Sequence, residues 1–292
     1  QVADVLVRLI DLVNELVDAD VVYNTKIPSY GATGWWDKSA YKEGMVLGDI
    51  WGLQFDRFLT EDDFNADGSL KAGLPDQTKV FPAGYQFAPG DVLYKDLDNN
   101  GEIVKQTNTN DKGDLSVIGN ALPRLQFGLN LDAAWKGFDI SMFFQGVAKR
   151  KLWAAGNQVL PGFTTGEPFY KGAEDYWTPE NTDAFYPRPM DYQQSASGNY
   201  SVNDRYLLNM AYLRLKTFTV GYSLPKVWLS KFKVQGLRVY FTGENLFTID
   251  GVKPAIDPEI GIRTANGKSD QRNFGRSYPY QKTVSFGIQL SL

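Results

Sequence analysis

The run Asp96-x-Asp98-x-Asn100-Gly101-x-Ile103 places oxygen donors at alternate positions, a glycine where the chain turns sharply and an apolar residue to anchor the far side. This is the spacing of a calcium loop, in which alternate side chains converge on one point. Where an EF-hand has its bidentate glutamate, this chain has Thr107. A calcium ion held by Asp96, Asp98, Asn100 and Glu102 would therefore need a further carboxylate from Asp111 or Asp114. Without an ion, the same residues make an Asx-rich turn. Asp63-x-Asn65-x-Asp67-Gly68 is a weaker copy.

Other chemistry is bounded by absences. The 292 residues include no Cys and no His, which removes zinc and iron–sulfur sites, thiol nucleophiles, Ser-His-Asp triads and His-ligated haem. Carboxylate pairs such as Glu174-Asp175 suggest glycosidase work, which needs an acid and a partner at set separation across a cleft, but loop acids of this density are usually solvated and no enzyme is expected. Thirty Lys and Arg against 34 Asp and Glu give a net charge of −4, so no nucleic-acid partner is expected. Aromatic residues make up 14% of the chain. Trp153, Tyr170, Tyr176, Trp177 and Tyr186, with Phe163, Phe169 and Phe185, sit among Gly, Pro and acidic residues. Sugar rings could stack on them, or they could pack the loops against one another or a partner.

The elements that carry these residues read as all-β. Aromatic content, 28 glycines and 43% hydrophobic residues suit short strands and many turns. No apolar run approaches the eighteen or so residues that a membrane helix needs, but barrel strands of about ten alternating residues cross a membrane unseen by hydropathy. Val284, Phe286, Ile288, Leu290 and Leu292 alternate with Ser285, Gly287, Gln289 and Ser291. Arg124 to Trp135 repeats the pattern. Lys136-Gly137 then offers a two-residue turn, and Phe138, Ile140, Met142 and Phe144 continue it against Asp139, Ser141, Phe143 and Gln145. Trp135 and Phe138 flank that turn, as an interfacial girdle in a barrel or as an ordinary cross-strand pair in a soluble hairpin.

Leu237, Val239 and Phe241 oppose Arg238, Tyr240, Thr242 and Glu244, a charged face that suits a wet lumen. Between Tyr206 and Leu224 the apolar phase changes, which predicts a bulge near Lys216 or an exit from the membrane there. Val46 to Phe58 reads as one further strand, and Val5 to Val17 as a short amphipathic helix. The connections alternate between long (about 59–122, 147–205 and 248–280) and short or medium (136–137 and 225–235), as the external loops and periplasmic turns of an outer-membrane barrel do.

Several motifs then resemble one family. Gly90 to Ile103, Val117-Ile-Gly-Asn120, Pro123 and Trp135-Lys-Gly-Phe-Asp139 are similar to the C-terminal third of SusC/RagA-type TonB-dependent transporters. So are Tyr212-Leu-Arg-Leu-Lys216, Val220-Gly-Tyr-Ser-Leu-Pro225, Leu237-Arg-Val-Tyr240, Gly243-Glu-Asn-Leu-Phe247, Pro258-Glu259 and Ser285-Phe-Gly-Ile288, in family order. Residues 1–45 match poorly, while 46–292 read as C-terminal barrel strands and external loops. One departure is Leu292, where the family usually ends in an aromatic residue.

The resemblance implies a barrel of about twenty-two antiparallel strands in the outer membrane of a Gram-negative, Bacteroidota-type bacterium. This chain would supply six or seven of them, as a C-terminal part without the plug. The implied partners are a SusD-like surface lipoprotein, the remaining N-terminal barrel and plug, TonB acting through that plug, lipid and lipopolysaccharide, and an oligosaccharide or peptide cargo. Arg238, Tyr240, Glu244 and Gln289 would face the lumen. Arg214 and Lys216 would line the path or brace the plug through ion pairs. The alternative is a soluble, aromatic-rich β-sandwich that binds carbohydrate with the same apolar faces buried.

Overall fold

A computed structural model describes residues 46, 48–108, 111–163, 169–190, 198–229, 234–253, 256–259, 264–265, 268–269, 274 and 278–291. The expected helix over Val5–Val17 and the terminal Leu292 lie outside these residues. In chain order the strands are β1 Asp49–Gly52, β2 Phe55–Phe58, β3 Val92–Tyr94, β4 Lys105–Asn108, β5 Asp111–Gly113, β6 Ser116–Asn120, β7 Leu125–Trp135, β8 Phe138–Ala148, β9 Lys151–Leu152, β10 Leu208–Asn209, β11 Tyr212–Ser223, β12 Gly236–Glu244, β13 Thr248–Asp250, β14 Thr264–Ala265, β15 Lys268–Ser269 and β16 Thr283–Ser291. No helix among the described residues is long and apolar enough to cross a membrane, which says nothing of crossing by strands. The chain divides into two units.

The first unit comprises residues 1–121, 153–207 and 262–274. Its described strands pair in twos: β1 with β6, β2 with β3, β4 with β5 and β14 with β15. The single strand expected over Val46–Phe58 is broken in two, because Leu53 leaves the ladder. Its N–H donates to the Val202 carbonyl at 2.9 Å, and its side chain is fully buried. Around it Phe58, Val92, Tyr94, Ile103, Leu115 and Trp177 form the core. Several buried polar groups there are hydrogen-bonded, although the Trp177 indole nitrogen has no partner. The Gln77 amide donates to the Val92 carbonyl and accepts from the Tyr94 N–H, while Asp91 accepts from Arg188, Asn199 and Tyr85.

The second unit comprises residues 122–152, 208–261 and 275–292. Its main part is an antiparallel sheet in the order β16-β12-β11-β8-β7, with β13 also pairing with β11, and β9 and β10 form a separate antiparallel pair. Lys136-Gly137 and the connection 224–235 lie at one end of the strands, whereas the connections 149–211 and 245–282 leave from the opposite end. The alternation in connection length is thus an alternation of sides. At the tight turn Lys136 and Gly137 have φ of 48° and 89°, the pair of positive values a type I′ hairpin requires. A Cβ on Gly137 would stand 2.9 Å from the Ser223 carbonyl oxygen. Gly137→Val should therefore cost about 1–2 kcal/mol for the positive φ alone. Urea unfolding of the detergent-solubilised protein measures it, and an unchanged midpoint would rule out this turn.

Candidate functional site

Residues that face each other across an antiparallel ladder share a face, so the register assigns side chains to faces. One row runs Leu131, Met142, Phe218, Gly243, Val284; the next Ala133, Ile140, Val220, Phe241, Phe286; the next Trp135, Phe138, Tyr222, Val239, Ile288. Ring contacts tie strands together along it, Phe138 with Tyr222 and Phe241 with both Phe218 and Phe286. The apolar face is nevertheless open. Phe286 is 81% exposed, Ile288 73% and Trp135 69%. A contiguous apolar surface of that kind meets lipid or another protein rather than water. β11 stays in phase because the pairing slips between Leu215 and Thr217, which is the bulge the change of phase at Lys216 predicts.

On the opposite face Asp132, Ser141, Thr219, Thr242 and Ser285 form a polar row. All four residues expected in the lumen lie on this face: Arg238 opposite Gln289, Tyr240 opposite Gly287 and Glu244 opposite Thr283. Arg238 reaches over β11 and donates to Asp139 on β8, its Nε 2.9 Å from Oδ1. Gly221 makes the crossing possible, since a Cβ there would lie 2.4 Å from the guanidinium. Tyr240 likewise lies across Gly287, where a Cβ would come within 2.2 Å of its ring. The polar face is therefore flat at this level, with long side chains folded onto glycines. The sequence shows Arg238 and Asp139 as polar-face residues, but their pairing across an intervening strand depends on Gly221 and needs the register.

Towards the long connections the face carries an ion-pair cluster. Arg214, 3% exposed, donates to Asp257 at 2.7 Å and to Thr248 at 2.7 Å, and stands 3.3 Å from Glu259. Lys216 donates to Glu259 at 2.7 Å. The charges expected to line the path or brace a plug thus hold the 257–259 segment of their own chain. Tyr280 packs over both cations, and its N–H donates to Asp257.

In the first unit, Tyr170, Tyr176 and Tyr186 share the wall of a cavity of about 420 Å³ with Phe169, Tyr200 and Pro189. Tyr176 and Tyr186 are brought together by a parallel bridge, in which the Trp177 N–H donates to the Tyr186 carbonyl. Tyr170 and Tyr176 are exposed there, whereas Tyr186 is buried and donates to the Val159 carbonyl. Trp153 and Trp177 do not join them. Both are buried, and Trp177 packs in the core against Gly90, so these two follow the packing alternative.

The Asp-rich loop brings Asp96, Asp98 and Asp114 together, with one ligand oxygen of each within 4.8 Å of the others. Ile103 is buried behind it. Asp114 accepts from the N–H groups of Leu97 and Val104, and Asp96 from that of Gly101. Desolvation and the charges of Asp114 and Asp96 hold Asp98 above the ordinary carboxylate pKa, a repulsion that a cation would relieve. Asn100 instead accepts from the Glu102 N–H, and the Glu102 side chain turns away to pair with Lys79. The Asp111 side chain lies outside the described residues. In the weaker copy both Asp63 oxygens accept from Arg57, which draws its pKa down to about 2.

A two-faced antiparallel sheet with short turns at one end and long connections at the other is a form of barrel wall, and comparison with known proteins narrows the class. No protein-family model matches the chain. Two TonB-dependent receptors of Formosa agariphila are 29% and 32% identical to it, over 85% and 66% of its length. TonB-dependent receptor SusC of Bacteroides thetaiotaomicron is 25% identical over 80%. The chain spans about a fifth of the length of these relatives, 22%, 19% and 22% in turn. In fold it is similar to the RagAB peptide transporter, with a TM-score of 0.57 over 92% of this chain and 25% of that one, at 19% identity. The RagAB peptide importer in its open-open state gives 0.55 over 94% and 25%, at 18% identity. By sequence the chain is similar to TonB-dependent receptors, SusC among them, and in fold to RagAB.

The crossing over Gly221 is directly testable. Gly221→Val should break the Arg238–Asp139 pair and cost more stability than Thr219→Val two residues away on the same face. Thermal unfolding of the two variants in detergent checks the order, and equal loss would mean that the pair contributes nothing measurable.

Proposed function

We propose that this chain forms the C-terminal part of the barrel wall, with external loops, of an outer-membrane importer that takes up an oligosaccharide or peptide nutrient with energy delivered through TonB. The observation that carries this reading is the register of the five long strands, which sorts apolar and polar residues onto opposite faces while leaving the apolar one open. A soluble sandwich would bury that face against a second sheet. The relationship to SusC and the other TonB-dependent receptors supports the same reading. On it the apolar face meets lipid and lipopolysaccharide in the outer membrane of a Bacteroidota-type bacterium. The remaining barrel and plug close the structure and reach TonB, a SusD-like lipoprotein covers the outside, and no bond is made or broken by the barrel.

Tyr170, Tyr176 and Tyr186 are the proposed contact for cargo in the loops, because rings at the wall of a cavity of this size suit a sugar or an apolar side chain. Arg238, Tyr240, Glu244 and Gln289 are the proposed lumen face. Asp96, Asp98 and Asp114 are the proposed calcium ligands. Calorimetric titration of the chelator-stripped protein with calcium tests this last assignment, and binding should be lost in Asp98→Asn. Heat of binding unchanged by that substitution would place the ion elsewhere.

Native mass spectrometry of the detergent-extracted assembly tests the function. A lipoprotein and the rest of a barrel should accompany this chain, whereas a lone species needing no detergent would sink the import reading. Phe286→Arg should cost about 2–4 kcal/mol if its site is near the bilayer midplane. Refolding into lipid vesicles measures that cost, and a neutral result would argue for an aqueous face.

A further inference from the structure

At the end of the sheet from which the long connections leave lies an open cavity of about 640 Å³ whose wall includes Gln126, Gln145, Arg150, Tyr212, Glu259 and Tyr280. Two charged residues stand in its wall, Arg150 and Glu259. Glu259 is already engaged by Arg214 and Lys216, which leaves Arg150 without a carboxylate of its own among the described residues. The Nε of Arg150 is buried without a hydrogen-bond partner. Among the described residues no acid pairs with Arg150 or with its neighbours Lys149 and Lys151. Asp250, across the ladder from Tyr212, is exposed and accepts from the Val252 N–H.

A half-buried guanidinium with an unused donor is unfavourable until an acceptor reaches it, and a carboxylate is the acceptor its planar fork fits best. We propose that this cavity is a carboxylate-binding subsite in which Arg150 takes an anionic group of the cargo, with the Gln126 and Gln145 amides as further donors and the Tyr212 and Tyr280 rings as walls. The volume is that of a small-ligand pocket. The subsite rests on the polar face being the wetted one, and it narrows the cargo to a class bearing a carboxylate, such as a peptide terminus or a uronic acid.

The test titrates the intact transporter in detergent with para-fluorobenzoate, and with para-fluorobenzyl alcohol as its neutral counterpart, and follows fluorine NMR line width. The acid should bind and the alcohol should not. Arg150→Gln should weaken binding of the acid roughly tenfold or more, and Gln145→Glu, which sets a carboxylate into the cavity beside Arg150, should do the same by occupying the site. Absent binding by the unmodified protein, equal binding by Arg150→Gln or equal binding of the alcohol would each overturn the subsite. So would a map of the intact transporter showing a carboxylate from elsewhere in the protein seated on Arg150. A barrel that requires detergent yet binds no benzoate sinks the subsite alone, whereas a protein soluble without detergent sinks the import reading as well.

Discussion

In hydrocarbon every backbone N–H and C=O must be paired within the protein, so a spanning sheet has to hold its ladder unbroken through the apolar zone. From β8 across β11 and β12 to β16 the register continues without a slip over the rows that hold Ile140, Val220, Phe241 and Phe286. The irregularity in β11 falls at Lys216, beside the charged cluster. There the bulge keeps Arg214 on the polar face while Leu215 pairs with Phe144 on the other. Face, register and bulge are thus one constraint: a slip of a single residue would turn every apolar side chain onto the polar face.

Glycine has a second part in this sheet beyond the tight turn. Gly221 and Gly287 on the polar face, and Gly146 on the apolar face, each lie beneath a long side chain, namely Arg238, Tyr240 and Phe127. Such pairs let large residues lie flat, so both faces stay shallow at these points. The positive charge of Arg238 is matched to Asp139 two strands away rather than projecting inward. On the import reading this leaves the lumen surface smooth near the turns, with charge concentrated at the opposite end.

Much of this was legible in the sequence because a strand's side chains repeat every two residues. Phe286 and Ile288 declare their face without any knowledge of a partner, and Lys136-Gly137 declares its turn. The strand expected over Val46–Phe58 fails for a physical reason, since Leu53 alternates correctly but is held by the backbone at Val202, 149 residues away. Trp177 shows the same limit: an aromatic residue among loop glycines looks the same in a cavity wall and in a core. The Arg150 cavity carried no local signal, because its wall is assembled from three strands and two distant loop segments.

The most direct test uses the fact that the chain has no cysteine. Single cysteines introduced along β16 in the intact, membrane-inserted protein can be probed with one water-soluble and one lipid-soluble thiol reagent. Positions Val284, Phe286, Ile288 and Leu290 should react only with the lipid-soluble reagent, and Ser285, Gly287 and Gln289 with the water-soluble one. Reactivity that fails to alternate, or a water-soluble reagent reaching Phe286 and Ile288, would contradict a barrel wall.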